Sequence, residues 1–391
     1  MERFLIYFFP ALMDMAFGTI FFLCPMRLAE SGARATLVSG IIIAWAIPYI
    51  ISNQLIGRFI NARNAVKMLL GSSFAIAVIS ICFILVPGPM IQYLWVILSG
   101  IAGAFFFAPF QTFMKEFETG SSGLVRSTGL YTFAWSFGLA CGPFVSGPVW
   151  ENYGWKYCHA LNIIIGFLCL FGIYFLSKMR KTRRALHDET SASVQKESVN
   201  YSGMPDLAWL GWIGSGAGCV VIAIIRGVFP KTATEYGVAV SGSGLALALL
   251  SFSQAFTGLF LCFSKKWMYR PLPVGAFGVC GIVSSILFGF GSGTFSYCVA
   301  AVLFGIYSGG FFFYLVFHSL VHPSKSARYI AVNEMVVGIG GTAGPFLGGV
   351  LSDNVGLGMP YYFSAALISV AVVVQIIAHL QKDERKTLHS V

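Results

Sequence analysis

The chain has 391 residues, of which 57% are hydrophobic, 16% aromatic and only 10% charged. Soluble domains carry about 25% charged residues, so this composition excludes a soluble globular protein and predicts an integral membrane protein. The net charge of +10 would suggest nucleic-acid binding by a soluble protein, but in a membrane protein it reflects which loops are basic, and we predict no nucleic-acid partner.

Apolar runs between charges and turn residues predict twelve membrane-spanning helices. Each span needs about 20 apolar residues, so twelve fit this chain with short loops and one longer connection. In chain order, the predicted spans lie near residues 4–28, 36–60, 65–86, 90–114, 127–150, 157–178, 207–229, 238–263, 272–291, 295–319, 328–351 and 358–380. The predicted fold class is therefore an all-α membrane protein.

The longest polar stretch separates six predicted spans from six. We assign residues 1–178 to an N-terminal six-helix bundle, 179–206 to a cytoplasmic linker and 207–391 to a C-terminal six-helix bundle. With the linker in the cytoplasm, the outer loops keep only five of the 25 lysines and arginines: Arg27, Arg34, Lys156, Arg226 and Lys231. The positive-inside rule then predicts a multi-pass protein of an inner or plasma membrane with both termini in the cytoplasm.

An internal repeat relates the fifth span to the eleventh. The two segments share small residues, a proline and an acid in one register: Gly138 with Gly340, Gly142 with Gly344, Pro143 with Pro345, Glu151 with Asp353 and Gly154 with Gly356. This register predicts two duplicated halves in parallel orientation. Glycines four residues apart allow close helix packing, and the prolines bend the helix. Both a moving, gating surface and static helix packing fit the pattern.

This glycine–proline pattern in two six-span halves resembles the antiporter motif of the major facilitator superfamily. The loop after the second span, Gly57-Arg58-Phe59-Ile60-Asn61-Ala62-Arg63, resembles a decayed form of the Gly-x-Leu-Ala-Asp-Arg-x-Gly-Arg-Lys motif of that family. Asn61 replaces the acid of the motif, so a gating latch here would use Asn61 as a neutral hydrogen-bonding partner, beside Gly57 and Arg63. The resemblance implies a secondary transporter that works by alternating access around a central cavity, lined mainly by spans one, four, seven and ten.

Two acids lie well within predicted spans, Asp14 in span one and Glu334 in span eleven. At 1.5 Å per residue, Asp14 is about 15 Å deep, near the membrane midplane. A charged carboxylate there is costly, which favours the protonated form and makes Asp14 the leading candidate for proton coupling. A structural hydrogen bond to a neighbouring helix is the alternative. Glu334 is a second proton-coupling candidate that faces either the cavity or a packed helix contact.

Polar and aromatic side chains within the spans are candidate solute contacts. They are Phe17, Phe21, Gln111, Tyr131, Trp135, Gln254, Tyr307, Tyr314 and Asn333. The alternative for each polar member is a hydrogen bond that joins one helix to another. His318 and His322 have the spacing of a helical metal pair but lack a third ligand, so we predict no metal and no cofactor.

The leading functional hypothesis is proton-coupled export of a small organic solute by a monomer in the lipid bilayer. We expect a neutral or cationic solute, because no Lys or Arg falls near the middle of any predicted span. Proton-coupled or facilitative uptake of a sugar, nucleoside or other nutrient is the runner-up. A transport-inactive receptor or a membrane-embedded enzyme is disfavoured, since no catalytic motif is evident and the longest extramembrane segment is short.

Overall fold

The computed structural model describes residues 2–115, 124–187, 206–261, 270–321 and 326–388, together with Phe263 and Trp267. This part of the chain contains twelve α-helices, one 3₁₀ turn at Gly57–Phe59 and no strand. The helices are α1 (Glu2–Glu30), α2 (Ala35–Ile56), α3 (Ala62–Leu85), α4 (Gln92–Lys115), α5 (Leu124–Tyr153), α6 (Trp155–His187), α7 (Ala208–Glu235), α8 (Val240–Leu261), α9 (Pro271–Phe290), α10 (Thr294–Val321), α11 (Ser326–Asn354) and α12 (Met359–Leu388).

The predicted all-α membrane fold is confirmed. Within the described residues, eleven of the helices contain a segment long and apolar enough to cross a membrane. The other helix, α5, has sufficient length at 30 residues but contains the glycines, serines and prolines of the repeat, which lower its hydropathy.

The packing of the helices is duplicated. In the first half, α1 packs on α5, α3 on α6 and α4, and α2 on α4; in the second half, α7 packs on α11, α9 on α12 and α10, and α8 on α10. Each contact in one half therefore has its counterpart six helices later, as expected for two six-helix bundles. The boundaries of the bundles remain a prediction, since α6 continues to His187 and residues 188–205 lie outside the described part.

The repeat is also visible at the ends of α5 and α11. Gly154 and Gly356, which align in the sequence repeat, have φ values of 95° and 142°. These left-handed values favour glycine, which has no Cβ. Each glycine therefore ends its helix at the same place and lets the chain turn into the next helix.

Two helix pairs form most of the contact between the bundles. α5 packs against α8, and α2 packs against α11, while α1 and α2 also touch α7. We call these contacts together the bundle interface. The side of the molecule on which α1 begins and α12 ends is called the termini side below.

Candidate functional site

Asp14 lies on the part of α1 that is turned toward the second bundle. Ala11 and Gly18, on a neighbouring strip of α1, touch the backbone of α5. The Asp14 side chain is 8% exposed, and its Oδ2 atom is fully buried without a hydrogen-bond partner in the described structure. It is seven residues after Tyr7, where the apolar segment begins, and thus about 10 Å from that end.

The positive charge of Arg226 of α7 acts on this carboxyl across the bundle interface. The two side chains are close enough for each charge to act on the other. They form no direct ion pair within 4.0 Å among the described residues. Nη2 of Arg226 instead donates to Ser251 Oγ of α8 at 3.4 Å. The arrangement is an acid and a base held apart at a contact between two bundles.

The position of Arg226 corrects two expectations from the sequence. We placed this residue in an outer loop and argued that no basic residue lies near the middle of a span, but α7 continues through Pro230 to Glu235. Arg226 is therefore nine residues, or about 14 Å, inside the helix end. The signal that could have found it is the apolar sequence Val220–Phe229, which continues on both sides of the arginine.

An aromatic wall lines α1, α2 and α4 beside Asp14. Phe21 contacts Trp45 edge to face, with ring centroids 4.9 Å apart, and Trp45 stacks on Tyr49 at 4.5 Å. Phe17 reaches both Trp45 and Phe107. Phe17 is almost completely buried, whereas Phe21 and Trp45 are half-buried. The wall therefore places polarisable aromatic surface close to Asp14 and Arg226.

Glu334 and Asn333 lie in α11 on the termini side of the molecule. Asn333 is buried and accepts a hydrogen bond from the Trp212 indole of α7 at 2.8 Å. Glu334 is exposed and precedes Gly338 by one turn. A Cβ at Gly338 would lie 3.1 Å from Ile50 of α2, so Glu334 is on the face of α11 turned toward the first bundle.

Gln254 joins three helices at the bundle interface. Its Nε2 donates to Ser136 Oγ of α5 at 2.8 Å, and its Oε1 accepts from Ser308 Oγ of α10 at 2.9 Å. The residue is completely buried. Trp135, next to Ser136, contacts Phe312 edge to face with centroids 5.8 Å apart, again from one bundle to the other. In this conformation, Gln254 makes the inter-helix bonds that we gave as the alternative to solute contact.

Tyr307 and Tyr314 are buried inside the second bundle. With Trp267 and Gln375 they line a cavity of about 20 Å³, which is room for one water molecule. The Tyr314 hydroxyl is 3.2 Å from Nε2 of His379. The structure therefore places these tyrosines away from Asp14, within one bundle.

The remaining candidate residues from the sequence either lie on the termini side or have side chains outside the described part. Gln111 is exposed near the end of α4. The side chains of Tyr131, Arg63 and His322 lie outside the described part. Gly57 begins the 3₁₀ turn after α2, and Asn61 Oδ1 accepts from the Asn64 backbone N–H at 3.0 Å, which caps the start of α3.

The repeated glycines pack each bundle internally. A Cβ at Gly138 or Gly142 would overlap the backbone of α1, and a Cβ at Gly340 or Gly344 would overlap α7. These four positions are too close to a neighbouring helix for any side chain, which supports static packing of α5 on α1 and of α11 on α7.

The repeated prolines, in contrast, face the other bundle. The carbonyl oxygen of Pro345 accepts a hydrogen bond from Ser39 Oγ of α2 at 2.8 Å. The carbonyl of Pro143 lies against Gly244 of α8, where a Cβ would be 2.6 Å away. Each copy of the motif therefore packs its own bundle at these two glycines and contacts the opposite bundle at its proline.

Comparison with known proteins gives a family and two distant relatives. The family model described as "Major Facilitator Superfamily" matches residues 4–317. "Proton-coupled antiporter flippase LtaA" of Staphylococcus epidermidis is 23% identical over 341 residues, which cover 82% of this chain and 80% of that protein.

The second relative, "Multidrug resistance protein fnx1" of Schizosaccharomyces pombe, is 25% identical over 192 residues, 46% of this chain. That alignment covers only 34% of the yeast protein. The family match is much broader, since it extends over most of the 391 residues. Together with the duplicated six-helix bundles, it shows that this chain is a membrane transporter of the Major Facilitator Superfamily.

Proposed function

We propose that this transporter exports a lipophilic, partly aromatic solute in exchange for protons, with Asp14 as the proton site. The observation that carries the proposal is the buried carboxyl of Asp14, whose Oδ2 has no hydrogen-bond partner in the described structure and which faces Arg226 across the bundle interface. A carboxyl in this position is costly when charged and unpaired. The charged and the protonated form of Asp14 therefore differ strongly in free energy when the two bundles are in contact.

Arg226 gives the exchange a physical basis. When Asp14 is charged, the opposite charge of Arg226 attracts it across the interface, and when Asp14 is protonated this attraction is lost. Proton binding and release would therefore change the balance between conformations by a differential interaction, as alternating access requires. Glu334, which is exposed on the termini side, is the second acid that we assign to proton coupling.

The aromatic residues beside Asp14 and Arg226 indicate the chemistry of the solute. Phe21, Trp45 and Tyr49 offer aromatic surface beside the charged pair. The preference for a neutral or cationic solute loses its basis, because Arg226 supplies a positive charge well inside a membrane-spanning helix. We therefore propose a lipophilic solute without restricting its charge. The names of the relatives, one a proton-coupled antiporter flippase and one a multidrug resistance protein, support exchange and export.

Three further features are part of the same proposal. The protein works as a monomer, with both termini and the connection between α6 and α7 in the cytoplasm of an inner or plasma membrane, as the distribution of basic residues predicts. The bundles comprise residues 1–178 and 207–391. The prolines at the interface, Pro143 and Pro345, mark the surfaces that separate when the transporter opens.

Flux measurements in proteoliposomes test the proposal. Purified protein is reconstituted with a pH dye inside, and efflux is followed for ethidium, chloramphenicol and fluorescein, which are a cation, a neutral molecule and an anion. We expect a pH gradient to drive at least one of them in the wild type. The Asp14→Asn variant should retain downhill flux but lose its dependence on the gradient.

A matched acid serves as the control. Glu235, at the end of α7, makes an ion pair with Lys231 at 2.6 Å and lies far from Asp14, so Glu235→Gln should behave as the wild type. A gradient response that is as steep in Asp14→Asn as in the wild type would contradict the proton role. Failure of the wild type to move any of the three probes against a gradient would contradict the proposed exchange itself.

A further inference from the structure

One face of α2 carries two polar atoms that are buried without a partner. Nε1 of Trp45 and Oδ1 of Asn53 make no hydrogen bond to any residue that the structure describes. Burying a donor or acceptor without a partner is costly, so native proteins rarely keep two on one helix face without a reason.

The spacing of these residues places them side by side along the helix. Trp45, Tyr49 and Asn53 follow each other at intervals of four residues, which aligns their side chains on one side of α2. The backbone positions of Trp45 and Asn53 are thus about 12 Å apart, with Tyr49 between them. A donor and an acceptor therefore stand at the two ends of a short aromatic strip.

The rings around this strip are arranged for contact with a flat molecule. Trp45 and Tyr49 stack almost in parallel, with an interplanar angle of 15° and centroids 4.5 Å apart, whereas Phe21 meets Trp45 at 89°. Gly103 of α4 lets these rings approach, since a Cβ there would be 3.1 Å from Phe17 and 3.4 Å from Trp45. Stacked and edge-on aromatic surfaces are how proteins hold planar rings.

The strip adjoins the proposed proton site. Phe21, which touches Trp45, lies on α1 two turns after Asp14, and the two side chains share one face of that helix. A molecule held on α2 would therefore contact the same face of α1 that carries the exchangeable proton. This proximity links recognition of the solute to its coupling.

We propose that Trp45, Tyr49 and Asn53 form the solute-recognition strip of this transporter, and that its solutes are planar aromatic molecules with a hydrogen-bond acceptor near one edge and a donor near the opposite edge. The inference rests on the proposed transport function and specifies its substrate class. The acceptor of the solute binds the Trp45 N–H, the donor binds Asn53 Oδ1, and the ring packs against Tyr49 between them. The two buried atoms then gain the partners that they lack.

Binding of three matched probes to the full chain in lipid nanodiscs tests this assignment without requiring transport. Acridone has a carbonyl and an N–H on opposite edges, N-methylacridone keeps only the carbonyl, and anthracene has neither. Affinities are measured from probe fluorescence, with empty nanodiscs subtracted. We expect the wild type to prefer acridone to anthracene by about fivefold for each hydrogen bond formed.

Two variants assign the two bonds. Trp45→Phe keeps an aromatic ring but removes the N–H, and should weaken acridone about fivefold while leaving anthracene nearly unchanged. Asn53→Leu should weaken acridone but not N-methylacridone. Trp95→Phe is the matched control, because the Trp95 indole is also buried without a described partner but belongs to α4 and makes no ring contact with the strip.

The outcomes separate this inference from the proposed function. No preference of the wild type for acridone, or equal weakening of acridone and anthracene by Trp45→Phe, would overturn it. An effect of Asn53→Leu that is the same for acridone and N-methylacridone would also overturn it, and this result does not depend on the folding of the tryptophan variants. If the probe preferences follow expectation while Asp14→Asn retains its gradient response, the recognition strip stands and the proton role of Asp14 falls.

Discussion

Asp353, near the end of α11, caps the start of α2 in the opposite bundle through Thr36. Its Oδ2 accepts hydrogen bonds from the Thr36 backbone N–H at 3.0 Å and from the Thr36 hydroxyl at 2.5 Å, and Oδ1 accepts from the Ala35 N–H at 2.8 Å. The acid thus satisfies free N–H groups at a helix N-terminus, where negative charge is favoured. The packing of α2 on α11 continues from there and includes the bond between Ser39 and Pro345.

Removal of this charge should loosen the side of the interface opposite the termini. A negative charge at a helix N-terminus contributes about 0.3–1 kcal/mol, so Asp353→Asn should shift the closed-to-open ratio there by up to about fivefold. Spin labels introduced by Leu37→Cys and Val355→Cys, both at exposed positions, report the separation in a background without native cysteines. We expect Asp353→Asn to increase the population of long distances between the two labels.

The sequence repeat supplies the control for this experiment. Glu151 is the counterpart of Asp353 but is exposed at the end of α5 and has no such bond to α8 in the described structure. Glu151→Gln should leave the distance distribution unchanged. An unchanged distribution in Asp353→Asn would show that the cap does not hold this side closed.

The charges of Asp14 and Arg226 should be coupled in the stability of the protein. Asp14→Asn or Arg226→Gln alone leaves the remaining charge without its opposite at the interface, whereas the double variant removes both. A double-mutant cycle on the free energy of unfolding in detergent should give an interaction of about 0.5–3 kcal/mol. The double variant should therefore be more stable than the sum of the single changes predicts.

A lysine–glutamate pair one turn apart at the end of the same helix, with an exposed glutamate, provides the comparison. Lys231 and Glu235 are in contact at 2.6 Å near the end of α7, and a pair of this type contributes only about 0.3–0.5 kcal/mol. The same cycle on Lys231→Gln and Glu235→Gln should give this smaller value. An Asp14–Arg226 interaction no larger than that of Lys231 and Glu235 would argue against electrostatic coupling across the interface.

Adjacent glycines in α11 should differ sharply in their tolerance of a methyl group. A Cβ at Gly340 would lie 2.6 Å from Cys219 Cβ of α7, whereas a Cβ at Gly341 would meet nothing within 4 Å. Overpacking of this kind costs about 1–3 kcal/mol, so Gly340→Ala should lower the melting temperature by several degrees. Gly341→Ala should be neutral or slightly stabilising, since alanine favours a helix.

Thermal melting of both variants in the same detergent gives the answer directly. Equal effects of the two substitutions would mean that α11 does not pack on α7 at the distance described. A loss of gradient-driven flux in Gly340→Ala without loss of stability would assign the repeated glycines to movement rather than to static packing.

Local signals in the sequence were sufficient for the architecture. Long apolar runs identify spans without knowledge of their neighbours, since each must be apolar enough for the membrane by itself. The repeat of Gly142-Pro143 at Gly344-Pro345 indicates duplication without knowledge of any contact. Asp14 also stands out from the sequence alone, because an acid inside an apolar run is unusual whatever helices surround it.

Only the tertiary structure showed which partner each of these residues has. The charge of Arg226 acts on Asp14 across the bundle interface, Asp353 caps Thr36, and Gln254 joins α5, α8 and α10. Each of these relationships links helices that are far apart in the chain. The helical period gives the face on which a residue lies but not the helix that meets this face. That choice is made by the packing of two bundles against each other, so a sequence read one span at a time predicts a buried acid but not the base beside it.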